Sequence, residues 1–327
     1  MPGAELPKYT LDAELPPPAW GGLLGDSLRR LLRSKLALFS LLVIGLFLAA
    51  ALFAPWLAPF DPHQLGWGSD NLPPAWVQNG LKAGQPAHLL GTDTVGRDIL
   101  SRLIYGARTA LFVALLAAPL AAGLGVLVGT PAGYFGGRVD QLLMRLTDVF
   151  SAFPSVMFSV LLVFIFRDTP FGNWQEGRIT LVLAFALIAW APLARLVRGA
   201  VLIVRQQLYV EAARSVGVPD GRVLLRHVLP NISSLVIVWM TGAIPRVVIL
   251  EALLGYIGIR LTAQGGEGAE FYVTSWGGMF YNGRVALNST PVLLIAPSLC
   301  VVLIAVAFTL LGDRLRDALD PRLRDIL

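Results

Sequence analysis

The stretch Thr109–Thr130, TALFVALLAAPLAAGLGVLVGT, decides the fold class of this chain. It carries no charged residue, and it is as long as the roughly 20 apolar residues that a helix needs to cross the hydrocarbon core of a membrane. Five further predominantly apolar stretches occur along the chain, so we predict six transmembrane helices. The predicted spans are Leu36–Leu57, Thr109–Thr130, Leu142–Phe166, Ile179–Ala200, Ile232–Ile257 and Thr290–Leu311.

The third predicted span departs from the pattern of the others. Arg145 and Asp148 fall in its first turns, and Pro154 lies near its middle. Because proline has no backbone N–H and its ring clashes with the preceding turn, we expect a kink at this position. In the second span, Gly125 and Gly129 form a small-xxx-small pair, which favours close packing against another helix.

The composition of the 327-residue chain agrees with a membrane protein. Hydrophobic residues make up 55% of it and charged residues 14%, whereas a typical soluble domain has about 25% charged residues. Such a chain cannot cover itself with polar surface, which excludes a soluble globular enzyme. Its single cysteine, Cys300, lies in an apolar stretch and excludes a disulfide-bonded scaffold. We therefore expect an all-α, polytopic protein of the cytoplasmic (inner) membrane.

The distribution of Lys and Arg predicts the orientation of the spans. Six spans place both termini on one side, and the segments of that side hold far more cationic residues than those of the other side. By the positive-inside rule, both termini are cytoplasmic. The predicted divisions are a cytoplasmic tail at 1–35, the first span at 36–57, an external loop at 58–108, spans two to six at 109–311 with an internal loop at about 205–231, and a cytoplasmic tail at 312–327.

The sequence lacks the usual motifs of enzymes and ion-coupled carriers. No phosphate-binding loop of the form GxxxxGK[ST] occurs, and the three histidines, His63, His88 and His227, are too scattered for a metal site. We therefore predict no catalytic residue, no metal site and no bound cofactor. Ionisable residues are nearly absent deep within the predicted spans, Arg246 and Glu251 being the exceptions, whereas ion-coupled carriers normally keep such groups near the midplane. These features argue against a proton- or sodium-coupled carrier and favour a passive membrane protein.

The internal segment Leu208–Asn231, LYVEAARSVGVPDGRVLLRHVLPN, begins with a predicted amphipathic helix. Residues at i, i+3, i+4 and i+7 share one helical face. They are Tyr209, Ala212, Ala213 and Val216. Gly217 stands where a residue in the left-handed conformation would end the helix.

The rest of this segment predicts a turn and a second short helix. Pro219–Gly221 is typical of a turn, and Arg222–Val228 is expected to be helical up to Pro230. From the residues alone, two interpretations stay open. The first helix can lie on the inner leaflet as a basic amphipathic helix. Alternatively, its small alanine side chains can fit a groove on a partner protein.

The same segment resembles a signature of permease subunits of ABC importers, EAA-x3-G-x9-I-x-L-P, with His227 at the usual isoleucine position. The resemblance implies that this loop is a coupling helix that fits a cleft in a cytoplasmic ATPase subunit. The residues that the resemblance assigns to coupling are Tyr209, Glu211, Ala212, Ala213, Gly217, Leu229 and Pro230.

The external segment His88–Arg108, HLLGTDTVGRDILSRLIYGAR, predicts an amphipathic helix at the membrane interface that leads into span two. Asp93 or Thr94 can serve as its N-cap. In one interpretation the charged residues have a structural role only, because they form the polar face of this amphipathic helix. The alternative interpretation is that Asp93, Arg97 and Asp98 contact the substrate or a protein that delivers it.

The sequence of the external segment resembles the LGTDxxGRDxxSRLIYGAR motif of the dipeptide/oligopeptide/nickel branch of ABC permeases, specifically of the second, C-type subunit. Its motif residues here are Gly91, Thr92, Asp93, Gly96, Arg97 and Asp98. Further segments that resemble this branch are Gly133–Gly137, Met144–Asp148, Ile249–Gly258 and Gly312–Pro321. The family usually has a short Gln-Pro-Pro segment before a Trp-Gly pair, whereas this chain has Arg260–Ser275 at that place.

The resemblance implies a permease subunit for di- and oligopeptides that works with a second homologous permease, two ATP-binding-cassette ATPase subunits and an extracytoplasmic substrate-binding protein. ATP and Mg²⁺ would be bound by the ATPases, and no cofactor by this chain. Nickel chelates and glycosides are alternative substrates within the branch. An ATP-independent secondary carrier and a membrane scaffold protein are the rival functions, and neither explains both long motifs.

Overall fold

The computed structural model describes residues 31–66, 69–78, 82–167, 169, 174–259, 262–264 and 270–319, and these are mostly helical. The helices are α1 (Lys35–Leu52), α2 (Ala54–Leu57), α3 (Ile99–Phe135), α4 (Gly137–Ala152), α5 (Ser155–Arg167), α6 (Arg178–Val204), α7 (Leu208–Ser215), α8 (Asp220–Val223), α9 (Leu229–Tyr256), α10 (Trp276–Val285) and α11 (Val292–Leu319). A 3₁₀ turn (Trp174–Gly177) precedes α6, and a π-helical turn (Leu224–Val228) joins α8 to α9. Most of the predicted tails at 1–35 and 312–327 lies outside the described residues.

The long apolar helices correspond to the predicted spans. Within the described part of the chain, α1, α3, α6, α11 and the unit formed by α8 and α9 are each long and apolar enough to cross a membrane. The bent pair α4–α5 makes a sixth span if it is counted as one. The helical, multi-pass fold class is therefore confirmed.

The predicted interfacial helix before span two is not a separate element. Instead, α3 begins at Ile99 and continues without a break through the predicted span. Its N-cap is Asp98, so the predicted N-caps Asp93 and Thr94 are wrong. The reason lies in Gly96, whose φ of +80° is left-handed and interrupts any helix that starts upstream of it.

The third predicted span, Leu142–Phe166, is wrong as a continuous helix. The chain turns by 90° between α4 and α5. Phe153 has extended backbone angles, as the residue before a proline prefers, and α5 begins directly after Pro154. The predicted kink at Pro154 is thus confirmed. Polar contacts hold α4 against α6, where Arg198 donates to Asp140 over 2.5 Å.

Glycines on α3 allow α6 to pack directly against its backbone. Gly125, Gly129 and Gly133 all face α6, and a Cβ atom added at Gly129 would lie only 2.9 Å from the Cβ atom of Val197. Val197 itself is completely buried. The predicted packing role of Gly125 and Gly129 is confirmed, and the close contact of these two helices forms the centre of the fold.

Replacing Gly129 with isoleucine should destabilise the chain by about 1–3 kcal/mol, because the added atoms overpack the contact between α3 and α6. The measurement is the thermal unfolding midpoint of the detergent-solubilised protein. Gly123→Ile is the matched control, since Gly123 lies on the same helix with no atom within 4 Å of an added Cβ. Equal losses in both variants would show that packing is not the reason for a glycine at 129.

Trp276 fixes α10 to the helices around it. Its side chain is fully buried, and its indole N–H donates to the carbonyl oxygen of Leu103 on α3 over 3.0 Å. The ring edge also packs against Phe47 of α1 at a centroid distance of 5.7 Å. At Gly106 an added Cβ would clash with this indole. Because of these contacts, α1, α3 and α10 form one packed unit.

A small antiparallel hairpin adds strand structure to the otherwise helical chain. Strand β1 (Thr262–Gln264) pairs with strand β2 (Glu270–Tyr272) in one two-stranded sheet. It lies in Arg260–Ser275, the segment in which this chain departs from the family pattern. The prediction of an all-α chain is therefore correct for the spans but misses this hairpin.

Candidate functional site

The coupling residues predicted from the EAA-type signature lie on α7 and at the turn that ends it. Gly217 has φ +80°, so its predicted left-handed conformation is confirmed. The amide of Gly217 donates to the carbonyl of Arg214 over 3.0 Å, and the amide of Val218 donates to the carbonyl of Ala213 over 3.1 Å. This pair of bonds is a Schellman motif, which ends the helix and satisfies two of its last carbonyls.

One face of α7 is anchored and the other is open. Val210 is completely buried, and Ala213 is half-buried. The exposed residues of α7 and its end include most of the predicted coupling set. They are Leu208, Tyr209, Glu211, Ala212, Arg214, Ser215, Val216 and Gly217. The fractional exposures of Leu208 and Val216 reach 83% and 80%, so two large apolar side chains are mostly uncovered by the part of the chain that the structure describes.

Sequence reasoning missed Val210, which fixes α7 to the rest of the fold. It packs in a cluster of buried side chains contributed by α3, α6, α8, the π-helical turn and α9. These are Tyr134, Val201, Val223, Val228 and Ile232. Val210 and Ala213 are three residues apart, so their spacing was the available signal of a buried face.

Polar contacts tie the loop to the end of α3. The Tyr134 hydroxyl donates to the Asp220 carboxylate over 2.7 Å, and the Arg214 guanidinium lies 5.6 Å from the centre of the Tyr134 ring. Arg205 donates to the carbonyls of Gly133 and Tyr134 over 2.9 and 3.1 Å. These carbonyls belong to the last turn of α3, where no helical partner exists for them. No local sequence pattern indicates these contacts, because the paired residues are far apart in the chain.

Leu229 and Pro230 are the first two residues of α9. The predicted short helix Arg222–Val228 is continuous with α9, because a π-helical turn carries the backbone into Pro230. Pro230 directly follows the π-helical turn, where the backbone departs from the regular α-helical bonding pattern. The Tyr209 ring lies 6.1 Å from the ring of His227 on this turn. Partial desolvation raises the pKa of Tyr209 above its ordinary value.

The loop is therefore joined firmly to three long helices, α3, α6 and α9. The contacts that join α7 to the ends of these helices are the packing of Val210 and the Tyr134–Asp220 hydrogen bond.

The external motif forms a second cluster at the opposite end of α3. Asp93 is completely buried, and its Oδ1 atom accepts from the amides of Val95 and Arg97 over 3.0 and 2.9 Å. Its Oδ2 atom accepts from Arg97 Nε over 2.8 Å and from Arg102 Nη1. One carboxylate thus balances two guanidinium groups and closes a turn of the backbone.

Asp98 caps α3 and binds a preceding histidine. Its Oδ2 atom accepts from the amide and the hydroxyl of Ser101, both over 2.7 Å, and its Oδ1 atom lies 2.9 Å from His88 Nδ1. Thr92, also fully buried, accepts from the amide of Leu72 over 2.9 Å. Both carboxylates of the motif are therefore used within the chain.

The two glycines of the motif have physical requirements of their own. Gly91 and Gly96 both have positive φ angles, +83° and +80°. A Cβ atom at Gly91 would clash with the backbone of Leu72, and one at Gly96 would clash with the backbone of Gly66. The structure brings all six predicted motif residues together, in an arrangement that favours a scaffold over direct contact with a ligand.

Comparison with known proteins identifies the family. Residues 125–325 match the family described as "Binding-protein-dependent transport system inner membrane component". Residues 22–74 match the family described as "N-terminal TM domain of oligopeptide transport permease C". The first match alone covers more than half of the chain and includes the whole of Leu208–Asn231.

Named relatives are similar in sequence to this chain along nearly its full length. The chain is 33% identical to the oligopeptide transport system permease protein OppC of Haemophilus influenzae, over 91% of this chain and 88% of that protein. It is 34% identical to OppC of Bacillus subtilis, over 91% and 90%. It is 35% identical to the glutathione transport system permease protein GsiD of Escherichia coli, over 90% and 89%.

A solved structure supports the fold. A chain of the MetNI methionine ABC transporter, in an inward-facing conformation, matches with a TM-score of 0.53 and 16% identity, over 68% of this chain and 98% of that chain. With the two family matches and with relatives that cover 90–91% of its length, the chain belongs to the family of inner-membrane permease components of binding-protein-dependent transport systems.

Proposed function

We propose that this chain is one of two permease subunits of an ATP-driven importer of short peptides. The relatives named above are permeases for oligopeptides and glutathione, which supports a peptide as the substrate. Nickel chelates and glycosides remain the alternative substrates suggested by the sequence motif.

The observation that carries the proposal is the exposed face of α7. In the proposed assembly, Glu211, Ala212 and the apolar Leu208 and Val216 fit a cleft in a cytoplasmic ATPase subunit. The alternative, a helix lying on lipid, would place Glu211 and small alanines where large apolar side chains bind best. ATP and Mg²⁺ bind to the ATPases, and this chain supplies no cofactor site.

Transport then follows from the connections of the loop. Closure of the ATPases moves α7, and Val210 and the Tyr134–Asp220 bond pass the movement to α3, α6 and α9. The pathway between this chain and the second permease alternates between outward-open and inward-open states. The loop lies on the cytoplasmic side with both termini, and the external motif holds α3 on the side where a binding protein delivers the substrate.

Purification in a gentle detergent from native membranes tests this assembly. We expect a second permease and ATPase subunits to co-purify with the chain, and the membranes to accumulate labelled short peptides in an ATP-dependent manner. Recovery of the chain alone, under conditions that preserve other membrane complexes, would favour an ATP-independent carrier. Recovery of the complex without peptide uptake would retain the importer and reject the substrate.

A further inference from the structure

A pocket opens between α6 and α9, close to the middle of the membrane-spanning region. Its volume is about 370 Å³, and its walls are mainly apolar, with Phe185, Pro192, Trp239 and Leu250 among them. Ser155, the first residue of α5, also lines it. The pocket is thus bounded by α5, α6 and α9.

Arg246 supplies the single charged side chain in the lining of this pocket. It lies within α9, roughly 25 Å along the axis from Leu229 and roughly 15 Å from Tyr256 at 1.5 Å per residue. The side chain is exposed in the isolated chain. Within the described residues, no carboxylate lies within 4.0 Å of its guanidinium.

The guanidinium of Arg246 is oriented by its own helix. Nε donates to the carbonyl of Gly242 over 2.8 Å, and the guanidinium carbon lies 5.8 Å from the centre of the Trp239 ring. Neither contact uses the two Nη groups, which are the pair that a carboxylate would bind in parallel. The other ionisable residue of α9, Glu251, is buried beside Gly277 of α10 and does not pair with Arg246.

The position of the Arg246 charge, near the middle of a membrane-spanning helix, calls for a physical explanation. An arginine at the centre of a span is costly when it faces lipid, and such residues normally face a protein interior or an aqueous path. The exposed side of Arg246 therefore faces the second permease or the transport pathway. The ligand-sized pocket beside the guanidinium favours the pathway.

We propose that Arg246 binds the C-terminal carboxylate of the transported peptide, while the apolar walls of the pocket accommodate its side chains. This inference rests on the proposed function. Every unmodified linear peptide carries that carboxylate whatever its sequence, so one fixed arginine beside adaptable apolar walls would accept many peptides. Trp239 and the Gly242 carbonyl act as positioning groups for the guanidinium.

The test compares uptake of a labelled tripeptide having a free C-terminal carboxylate with uptake of its C-terminal amide, in proteoliposomes that contain the whole importer complex. We expect Arg246→Gln to lower uptake of the free acid at least about tenfold, the value of a charge-assisted bidentate bond, and to leave uptake of the amide unchanged. Arg246→Lys should restore much of the free-acid uptake. The binding protein is the same in every sample, so a changed preference originates in the membrane subunit.

Arg284→Gln is the matched control, because Arg284 also lies over aromatic rings, those of Tyr256 and Tyr281, but away from the pocket. It should leave the preference for the free acid as it is. If Arg246→Gln lowered the uptake of both peptides equally, or if the second permease no longer co-purified, Arg246 would be assigned to the subunit interface. This result would overturn the present inference but not the proposed function. Failure of the wild-type complex to transport either peptide would overturn the proposed function as well.

Discussion

Asp93→Ala is expected to destabilise the external end of the protein by about 3–5 kcal/mol, the usual cost of removing one partner from a buried ion pair. The carboxylate is fully buried and accepts four hydrogen bonds, two from backbone amides and two from Arg97 and Arg102. Without it, the side chain of Arg102, only 5% exposed, loses this counter-ion. The measurement is the thermal unfolding midpoint in detergent, together with the rate of proteolysis in 58–98.

Asp70→Ala is the control for this prediction. Asp70 pairs with Lys82 over 3.2 Å, but both side chains are close to half exposed, so water screens the pair and its loss should hardly change the midpoint. The unfolding midpoint of Asp93→Asn should lie between those of Asp93→Ala and Asp70→Ala, because an amide oxygen can still accept from the backbone although the charge is lost. If Asp93→Ala folded normally but failed to receive substrate from the binding protein, the scaffold interpretation would be wrong and direct contact would replace it.

The fold class was predictable because bilayer thickness and apolar composition restrict the chain to a few long helices. The positions of most spans followed from the same constraint. Helix ends were harder, because a cap depends on which nearby side chain reaches the first amides. Asp93, Thr94 and Asp98 all suit an N-cap by residue type, and only the left-handed backbone at Gly96 decides in favour of Asp98.

The candidate coupling site was predictable in its residues but not in its attachments. The position of Gly217 followed from local chemistry, since few residues other than glycine adopt a left-handed helix end easily. The Tyr134–Asp220 bond joins residues 86 positions apart. Such a contact depends on how α3 and α8 meet in space, which no local pattern describes. The pocket at Arg246 was not predictable for the same reason, since its walls come from α5, α6 and α9, which are distant in the chain.

Gly217→Asp is expected to lower transport at least about tenfold while the protein remains in the membrane. Two effects act together at the end of α7. The left-handed backbone at φ +80° costs a residue with a Cβ about 1 kcal/mol or more. A negative charge beside the C-terminus of a helix costs about 0.3–1 kcal/mol, because it faces the negative end of the helix dipole. No atom lies within 4 Å of an added Cβ, so a steric clash does not contribute.

The measurement is peptide uptake and ATP hydrolysis by the same reconstituted complex. Gly217→Asn should retain more uptake, because asparagine tolerates the left-handed conformation and adds no charge. Gly221→Asp places the same charge in the same loop, where φ is not positive and the space is open, and it should behave like the wild type.

The ratio of the two activities separates coupling from assembly. If α7 transmits the movement of the ATPases, Gly217→Asp lets ATP hydrolysis continue while uptake falls, because the ATPases still close but α3, α6 and α9 no longer follow. If uptake and hydrolysis fall together and the ATPases no longer co-purify, the turn is needed for docking and not for transmission. If the Gly217→Asp variant took up peptide at the wild-type rate, the coupling assignment itself would be contradicted. The reason is that the Schellman motif at Gly217 sets the direction in which the chain leaves α7.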